Sequence, residues 1–338
     1  MATIHDVAQD AGVSPTTVSR YLNNRIELPP ATAARIDAAI KKLDYRPNLL
    51  AKRLSTGKTE AVGLVTPEIR EPFFAELASA FEDEADHHGY TVFMSSTRSD
   101  RKREIASLER LQDGHVDGLL MMTNTPDDGT LAGLIGERRN VVIVDEDIPG
   151  VSVPRLFVEN SEGAYQATRH LIEAGHRRIA YLGGPQGLLT VTERREGFLM
   201  AMNEAGIAVR SEYVAMGSFA PELARAATVR FLELPLPPTA IFASSDYLAI
   251  GAVMGLRDAN VSVPDEVSLI GFDDMAFSTL LTPPLSAVRQ PVEQLGRQGF
   301  LTLLALLDGE TPPLLTRLPV ELIRRQSVAA PTSKDFRA

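Results

Sequence analysis

The first sixty positions carry hydrophobic residues at helical spacing in three short sets. Ile4, Val7, Ala8 and Ala11 fall on one helix face, Thr3 and Asp6 form a capping-box-like pair at its start, and Gly12 marks its end. After Gly12-Val13, Ser14 is placed to cap a second helix with Pro15 at its first position, where a missing N–H costs nothing, and Val18 and Leu22 point inward. Pro29-Pro30 opens a third helix whose Ile36, Ile40 and Leu43 share a face, and it stops before Tyr45-Arg46-Pro47. From Ala61 the pattern changes. Short apolar runs alternate with amphipathic stretches: residues 61–65, 91–94, 118–122, 141–144, 179–182, 240–243 and 268–272 read as buried parallel strands, with helices among them from Ser161 to Gly175 and from Asp246 to Asn260. This alternation predicts a doubly wound α/β core behind a small all-α unit, and 338 residues leave room for both.

The strand ends are where such a sheet binds ligands. Asp145 and Asp147 follow one run, Asp246 another and Asp273-Asp274 a third, while Phe73, Phe74, Arg194 and Phe219 lie in adjoining loops or helix starts. Carboxylates and a guanidinium hydrogen-bond vicinal hydroxyls directionally, and an aromatic ring covers an apolar C–H face, so the set suits a polyhydroxylated ring.

Charge sharpens the division. The net charge is −10, yet residues 1 to 60 carry nine Lys/Arg against six Asp/Glu, which is +3 and leaves −13 for the remainder. A basic head attracts phosphate while an acidic body is repelled by it. The second of two helices joined by a tight turn is the one that enters a DNA major groove. Its N-terminal Ser14, Pro15, Thr16 and Thr17 would meet the base edges, with Arg20 one turn on able to reach a guanine or clamp a phosphate.

Other classes lose support. There is no cysteine, and the six histidines show no spacing that sets two ligands on one helix face, which argues against disulfides, cofactors and metal centres. No dinucleotide fingerprint follows the first strand, and neither a phosphate loop nor a nucleophile elbow occurs, so the chain does not read as an enzyme. No run of about 18 apolar residues and no signal-peptide pattern appears, so a cytoplasmic protein without membrane contact is expected.

The run from Thr3 to Asn23, TIHDVAQDAGVSPTTVSRYLN, resembles the headpiece signature of the LacI/GalR family of transcriptional regulators. Residues 46–55, RPNLLAKRLS, resemble that family's hinge helix. Glu71-Pro72-Phe73-Phe74, Gly175-His176-Arg177-Arg178, Arg194-Arg195-Glu196-Gly197-Phe198 and the stretch from Pro264 to Asp274 are similar to its core signatures, so the likeness runs nearly full length.

The resemblance implies a helix-turn-helix headpiece at 1–46, a hinge at 47–58, a two-lobed periplasmic-binding-protein-like core at 59–330 and a tail at 331–338. The N-lobe would span about 59–160 and 292–318, the C-lobe about 161–290 and 320–330, with crossovers near Asn160, Pro291 and Pro319. DNA contacts would fall on Thr3, Ser14, Pro15, Thr16, Thr17, Ser19, Arg20 and Asn23, and on Ala51, Lys52 and a minor-groove wedge, Leu54, in the hinge. Effector contacts would fall on Phe73, Phe74, Asp145, Thr190, Arg194, Phe219, Ser245 and Asp273, and His176 would be structural.

Departures bear on the effector. Ser245 stands where many sugar-responsive members have Asn, Glu71 replaces a frequent Asn, and Leu188 occupies the place of an effector-binding arginine in the purine-responsive branch. The resulting expectation is a homodimeric repressor of a pseudo-palindromic DNA operator, controlled by a carbohydrate effector. A purine or other metabolite as effector, or a sugar-binding protein that does not bind DNA, are the alternatives. The eleven residues after Ser327 hold no leucine heptads for a tetramerising coiled coil.

Overall fold

The computed structural model describes residues 2–22, 26–45, 58–136 and 140–332. The chain divides into two compact units, Met1–Thr59 and Glu60–Ala338. In the first, helices Ile4–Ala11, Pro15–Leu22 and Pro30–Leu43 close over Val7, Ala8, Ala11, Val18, Ile36 and Ala39, all buried. Thr3 Oγ1 accepts from Asp6 N while Asp6 Oδ2 accepts from Thr3 N at 2.7 Å, a complete capping box. Gly12 ends that helix in the left-handed region at φ 66°, which a side chain would strain. Tyr21 donates to Asp37, and Lys42 pairs with Asp10 at 2.6 Å, tying the third helix to the other two.

Among the described residues the second unit holds two six-stranded sheets. The strands are β1 Ala61–Thr66, β2 Thr91–Ser96, β3 Gly118–Met121, β4 Val141–Val144, β5 Arg155–Val158, β6 Ile179–Gly183, β7 Val214–Met216, β8 Ala240–Ala243, β9 Ser268–Asp273, β10 Ser286–Arg289, β11 Leu315–Leu318 and β12 Glu321–Ile323. One sheet runs β11-β5-β4-β3-β1-β2 and the other β12-β10-β9-β8-β6-β7; every pairing is parallel except β10 with β12. The chain crosses between lobes three times: from β5 into the helix Asn160–Glu173, from β10 into the helix Val292–Leu307, and from β11 to β12. Helices cover both sheet faces, so the central strands are apolar throughout, as in the fully buried Val141–Val144. Helices pair closely where glycine removes a side chain: a Cβ on Gly197 would lie 2.0 Å from Ser161 O, and one on Gly296 would lie 2.4 Å from Leu77 O. No described helix is long and apolar enough to cross a membrane.

One strand departs from its expected burial. The apolar run predicts a buried strand over residues 91–94, but β2 is a sheet edge, with Phe93 55% and Met94 47% exposed. An edge strand is packed on one side only, so apolar composition there does not signify burial within the monomer. Five strands lie outside the seven expected runs: β5, β7, β10, β11 and β12, each three or four residues long and most carrying Arg, Glu or Thr. The helices read as 161–175 and 246–260 end at Glu173 and Asp258.

Candidate effector cleft and DNA-reading helix

Between the lobes of the core lies a cleft holding about 620 Å³ not filled by atoms, counting the mouth that opens to solvent. That size suits a small molecule. Asp145, directly after β4, and Asp273, the last residue of β9, reach it from the carboxyl ends of their strands, Asp145 at φ 72° and Asp273 at φ 110°. Non-glycine residues adopt such backbones at a cost of about 1–3 kcal/mol each, a strain that concentrates at functional sites.

Phe73 and Phe74, in the first turn of the helix Pro72–His87, meet edge to face at 5.2 Å and wall one side. Phe219 walls another, and its ring lies where a Cβ on Gly184 would be, 2.4 Å from the nearest ring carbon. Thr190 and Arg194 project from the helix Leu189–Glu204, and Ser245 caps the helix Asp246–Asp258 by accepting from Leu248 N at 3.2 Å. All eight residues expected to meet an effector therefore line one cavity.

Arg194 is the one cationic lining residue of the cavity among the described residues, and it is 5% exposed. Its Nε donates to Asn160 Oδ1 at 2.8 Å and its Nη1 to Ser244 O at 2.7 Å, with Asp273 Oδ1 at 3.5 Å, and the guanidinium lies 3.9 Å over the Phe272 ring. Four acids share the lining with it: Glu71, Asp145, Glu146 and Asp273. Burial pushes Asp145 up to about 7 against the pull of Arg194, with Glu146, Asp273 and Glu71 adding to the rise. Glu71 is also pushed up to about 7, by burial first and then by Asp273 and Glu68.

Sequence reasoning passed over several lining residues. Glu146, 2% exposed, reaches from the N-lobe to the start of the C-lobe helix Leu189–Glu204, accepting from Leu189 N at 2.6 Å, Thr190 N at 3.2 Å and Thr190 Oγ1 at 2.8 Å. Gln290 donates to Asp273 Oδ1 at 2.7 Å, and Tyr247 and Asn124 complete the rim. Glu146 directly follows Asp145, so its place just past the strand end is the signal that marks it. Gln290 follows β10, a strand too short and mixed to be noticed.

Other strand-end acids serve the scaffold. Asp147 pairs with Arg155 at 3.3 Å, Asp274 with Arg289 at 2.7 Å and with Arg325, and the buried Asp246 accepts from Met275 N and Ser278 Oγ at 2.7 and 2.6 Å. His176 is buried away from the cleft among Thr239 Oγ1, Ser268 Oγ and Ala329 O at 2.9–3.0 Å. Among the described residues no group of His, Cys, Asp and Glu is placed to hold a metal ion.

In the headpiece, Thr16 and Arg20 stand one turn apart on the exposed side of the helix Pro15–Leu22, opposite the buried Val18. Arg20 has no ion pair among the described residues. Ser14 and Thr17 bond to each other at 2.8 Å, Thr17 N donates to Ser14 Oγ at 3.1 Å, and the Thr3 hydroxyl is held by Asp6. These hydroxyls thus fix the helix starts. Pro15 and Ser19 are half-buried on the same helix. Asn23, Ala51, Lys52 and Leu54 lie outside the described residues.

Two family models match the chain: "Bacterial regulatory proteins, lacI family" over residues 3–48, and "Periplasmic binding proteins and sugar binding domain of LacI family" over residues 59–326. The HTH-type transcriptional repressor PurR of Yersinia pestis (strain Pestoides F) is 35% identical over 341 residues, covering all of both chains. A complex of the transcriptional regulator CelR with cellobiose is 31% identical, with a TM-score of 0.73 over 97% of this chain and 100% of that one. The lac repressor dimer bound to operator and the anti-inducer ONPF is 25% identical, with a TM-score of 0.85 over 97% and 99%.

Proposed function

The chain belongs to the LacI family of bacterial transcriptional regulators, and from that premise we propose that it is a repressor whose operator affinity is set by a carbohydrate in the cleft between its lobes. It is a homodimeric DNA-binding regulator with an effector-binding core rather than an enzyme. The observation that carries the carbohydrate is the convergence of Asp145, Arg194 and Asp273 with the faces of Phe73, Phe74 and Phe219 in one cavity. Directional groups around the rim of a ring and flat apolar groups above its C–H bonds are what a pyranose or furanose requires.

The operator side rests on Thr16 and Arg20 as base readers, with Pro15 giving apolar contact. Ser14, Thr17, Ser19 and Thr3 serve phosphate contacts and helix starts, and Asn23, Ala51, Lys52 and Leu54 complete the set from sequence. The exposed Phe93 and Met94 on the edge of β2 are our candidates for part of the dimer face. A second reading has a specific observation behind it. Relatives at 35% identity over the full chain are repressors named PurR, which favours a purine. Leu188, buried in the cleft lining, offers a purine no hydrogen bond from its side chain.

Titration calorimetry of the full chain against pentoses, hexoses, disaccharides and purine bases separates the readings. Fluorescence anisotropy on genomic fragments then scores each binder for its effect on DNA affinity. Tight binding of a purine with no response to any sugar would sink the carbohydrate assignment.

A further inference from the structure

The cleft's charges do not balance, and the imbalance has a location. Glu146 is satisfied by three donors at a helix N-terminus, and Asp273 by Arg194 and Gln290. Glu71 and Asp145 have no side-chain hydrogen bond or ion pair among the described residues. Arg70, next to Glu71, is taken by Glu68 at 2.8 Å. Arg194 is held by Asn160, Ser244 and Asp273. A separate acceptor waits in the same wall: Gln290 is 4% exposed, its Nε2 is spent on Asp273, and its buried Oε1 has no donor. The cavity offers two carboxyl groups with no directly bonded cation or donor among the described residues and an orphaned carbonyl, which call for a ligand rich in donors and positive in charge.

Resting on the carbohydrate reading of this site, we infer that the effector is an amine-bearing sugar or polyol, its ammonium held between Glu71 and Asp145 while its hydroxyls meet Arg194, Asp273 and Gln290. Phosphorylated and carboxylated sugars are excluded by the same charges, since an anion would enter beside four acids with one guanidinium to receive it. A neutral sugar leaves the two acids to share protons in place of a counter-ion.

Protons report the difference. Both carboxyls sit at about 7, so each is partly protonated at neutral pH. Burial is the first cause for both; the charges acting on Glu71 are Asp273, Glu68 and Arg70, with Tyr247 beside it, and those acting on Asp145 are Arg194, Glu146, Asp273 and Glu71. An ammonium favours their ionised forms, so its binding expels protons to the buffer. A neutral ligand accepting from a protonated carboxyl does the reverse.

The test is titration calorimetry of the full-length protein at pH 7 in two buffers of different ionisation enthalpy. The probes are 2-amino-2-deoxyglucose, -galactose and -mannose, each beside its parent hexose, its N-acetyl derivative and its 6-phosphate, with purine bases alongside. We expect one amine to bind about ten- to a hundredfold more tightly than its parent, the worth of one charge-assisted hydrogen bond. Acetylation should erase the gain, protons should be released on binding, and Glu71→Gln should bring the preference below about threefold. A parent hexose or its phosphate binding as tightly as the amine overturns this inference and leaves the carbohydrate reading standing, as does a preference unchanged in Glu71→Gln. Binding of a purine alone, or no binding across the panel, overturns both.

Discussion

Glu146 is the residue whose removal tests whether the two lobes are held together by the protein itself. Its carboxylate leaves the N-lobe after β4 and satisfies Leu189 N, Thr190 N and Thr190 Oγ1 at 2.6, 3.2 and 2.8 Å at the head of a C-lobe helix. Hydrogen bonds to an ionised acceptor contribute about 1.5–3 kcal/mol each, but the 3.2 Å contact is weak, and burying the carboxylate has a cost that raises its pKa. The net clasp is therefore about 2–4 kcal/mol, which corresponds to roughly a 30- to 700-fold change in the balance between closed and open lobes. Glu146→Ala should move the effector-free core toward the open form and weaken effector affinity by up to that factor, because the ligand must then supply the closure. Glu146→Gln keeps an acceptor and should fall between. The chain has no cysteine, so spin labels can be placed through Lys102→Cys in the N-lobe and Glu222→Cys in the C-lobe, both exposed. A longer and broader label distance in Glu146→Ala is the expected result. An unchanged distance distribution together with effector affinity within twofold of wild type would show that the contact holds nothing, and the clasp would be withdrawn.

Arg194→Ala should abolish effector response and also lower core stability by about 3–5 kcal/mol, since Asp273 and the Ser244 carbonyl lose their cation; urea unfolding and calorimetry check both, and unchanged effector affinity would refute its place in the site. Asp145 and Glu71 hold protons more tightly folded than unfolded, so the stability they give is full below about pH 4 and is lost as pH rises to about 7. Wild type should accordingly lose stability relative to Glu71→Gln between pH 5 and pH 8 in urea titrations, and the opposite slope would contradict the assigned burial. Gly184→Ala should push the Phe219 ring out of the cleft and weaken effector binding about tenfold or more while the core still melts cooperatively. Arg20→Ala should cost about 1–3 kcal/mol on specific operator DNA, read by anisotropy; equal losses on scrambled duplex would make Arg20 a phosphate contact only.

The elements readable from sequence were those whose local chemistry and tertiary role agree. The headpiece is the clearest case, because Thr3, Asp6, Gly12, Ser14 and Pro15 are end signals and the buried Val7, Val18 and Ile36 are the helical stripes between them. In the core, β1, β3, β4, β6, β8 and β9 announce themselves because burial on both faces requires unbroken apolar runs. The crossover strands do not. Arg155–Val158, Ser286–Arg289 and Leu315–Leu318 sit toward sheet margins and near the passage between lobes, where Arg and Thr find partners or water, so their composition is mixed. Gln290 was hidden for this reason. Asp246 and Asp274 were hidden in the opposite sense, since an acid after a strand looks the same whether it faces a cleft or closes a turn. Glu71, like Ser245 and Leu188, was visible as a departure, and the structure adds that its carboxyl has no hydrogen bond or ion pair among the described residues.

The cleft and the crossovers are joined by side chains, which gives the effector a mechanical route. At the first crossover Asn160 accepts from Arg194 Nε at 2.8 Å and approaches Glu193 at 3.3 Å. The second crossover begins at Gln290, which donates to Asp273 at 2.7 Å. Just before the third, Arg317 in β11 pairs with Glu193, one residue from Arg194 on the same helix. Each of the three hinge passages is thus bonded either to a residue that lines the cavity or to that residue's neighbour. A ligand that draws on Arg194 and Asp273 competes for groups bonded to the crossovers, so its binding should re-weight the lobe angles. A ligand stabilised by the aromatic walls alone makes no such demand and would bind the open and closed forms more equally. Effector efficacy should therefore follow contact with Arg194 and Asp273 rather than total affinity, because a ligand shifts an equilibrium only by its difference in affinity for the two states.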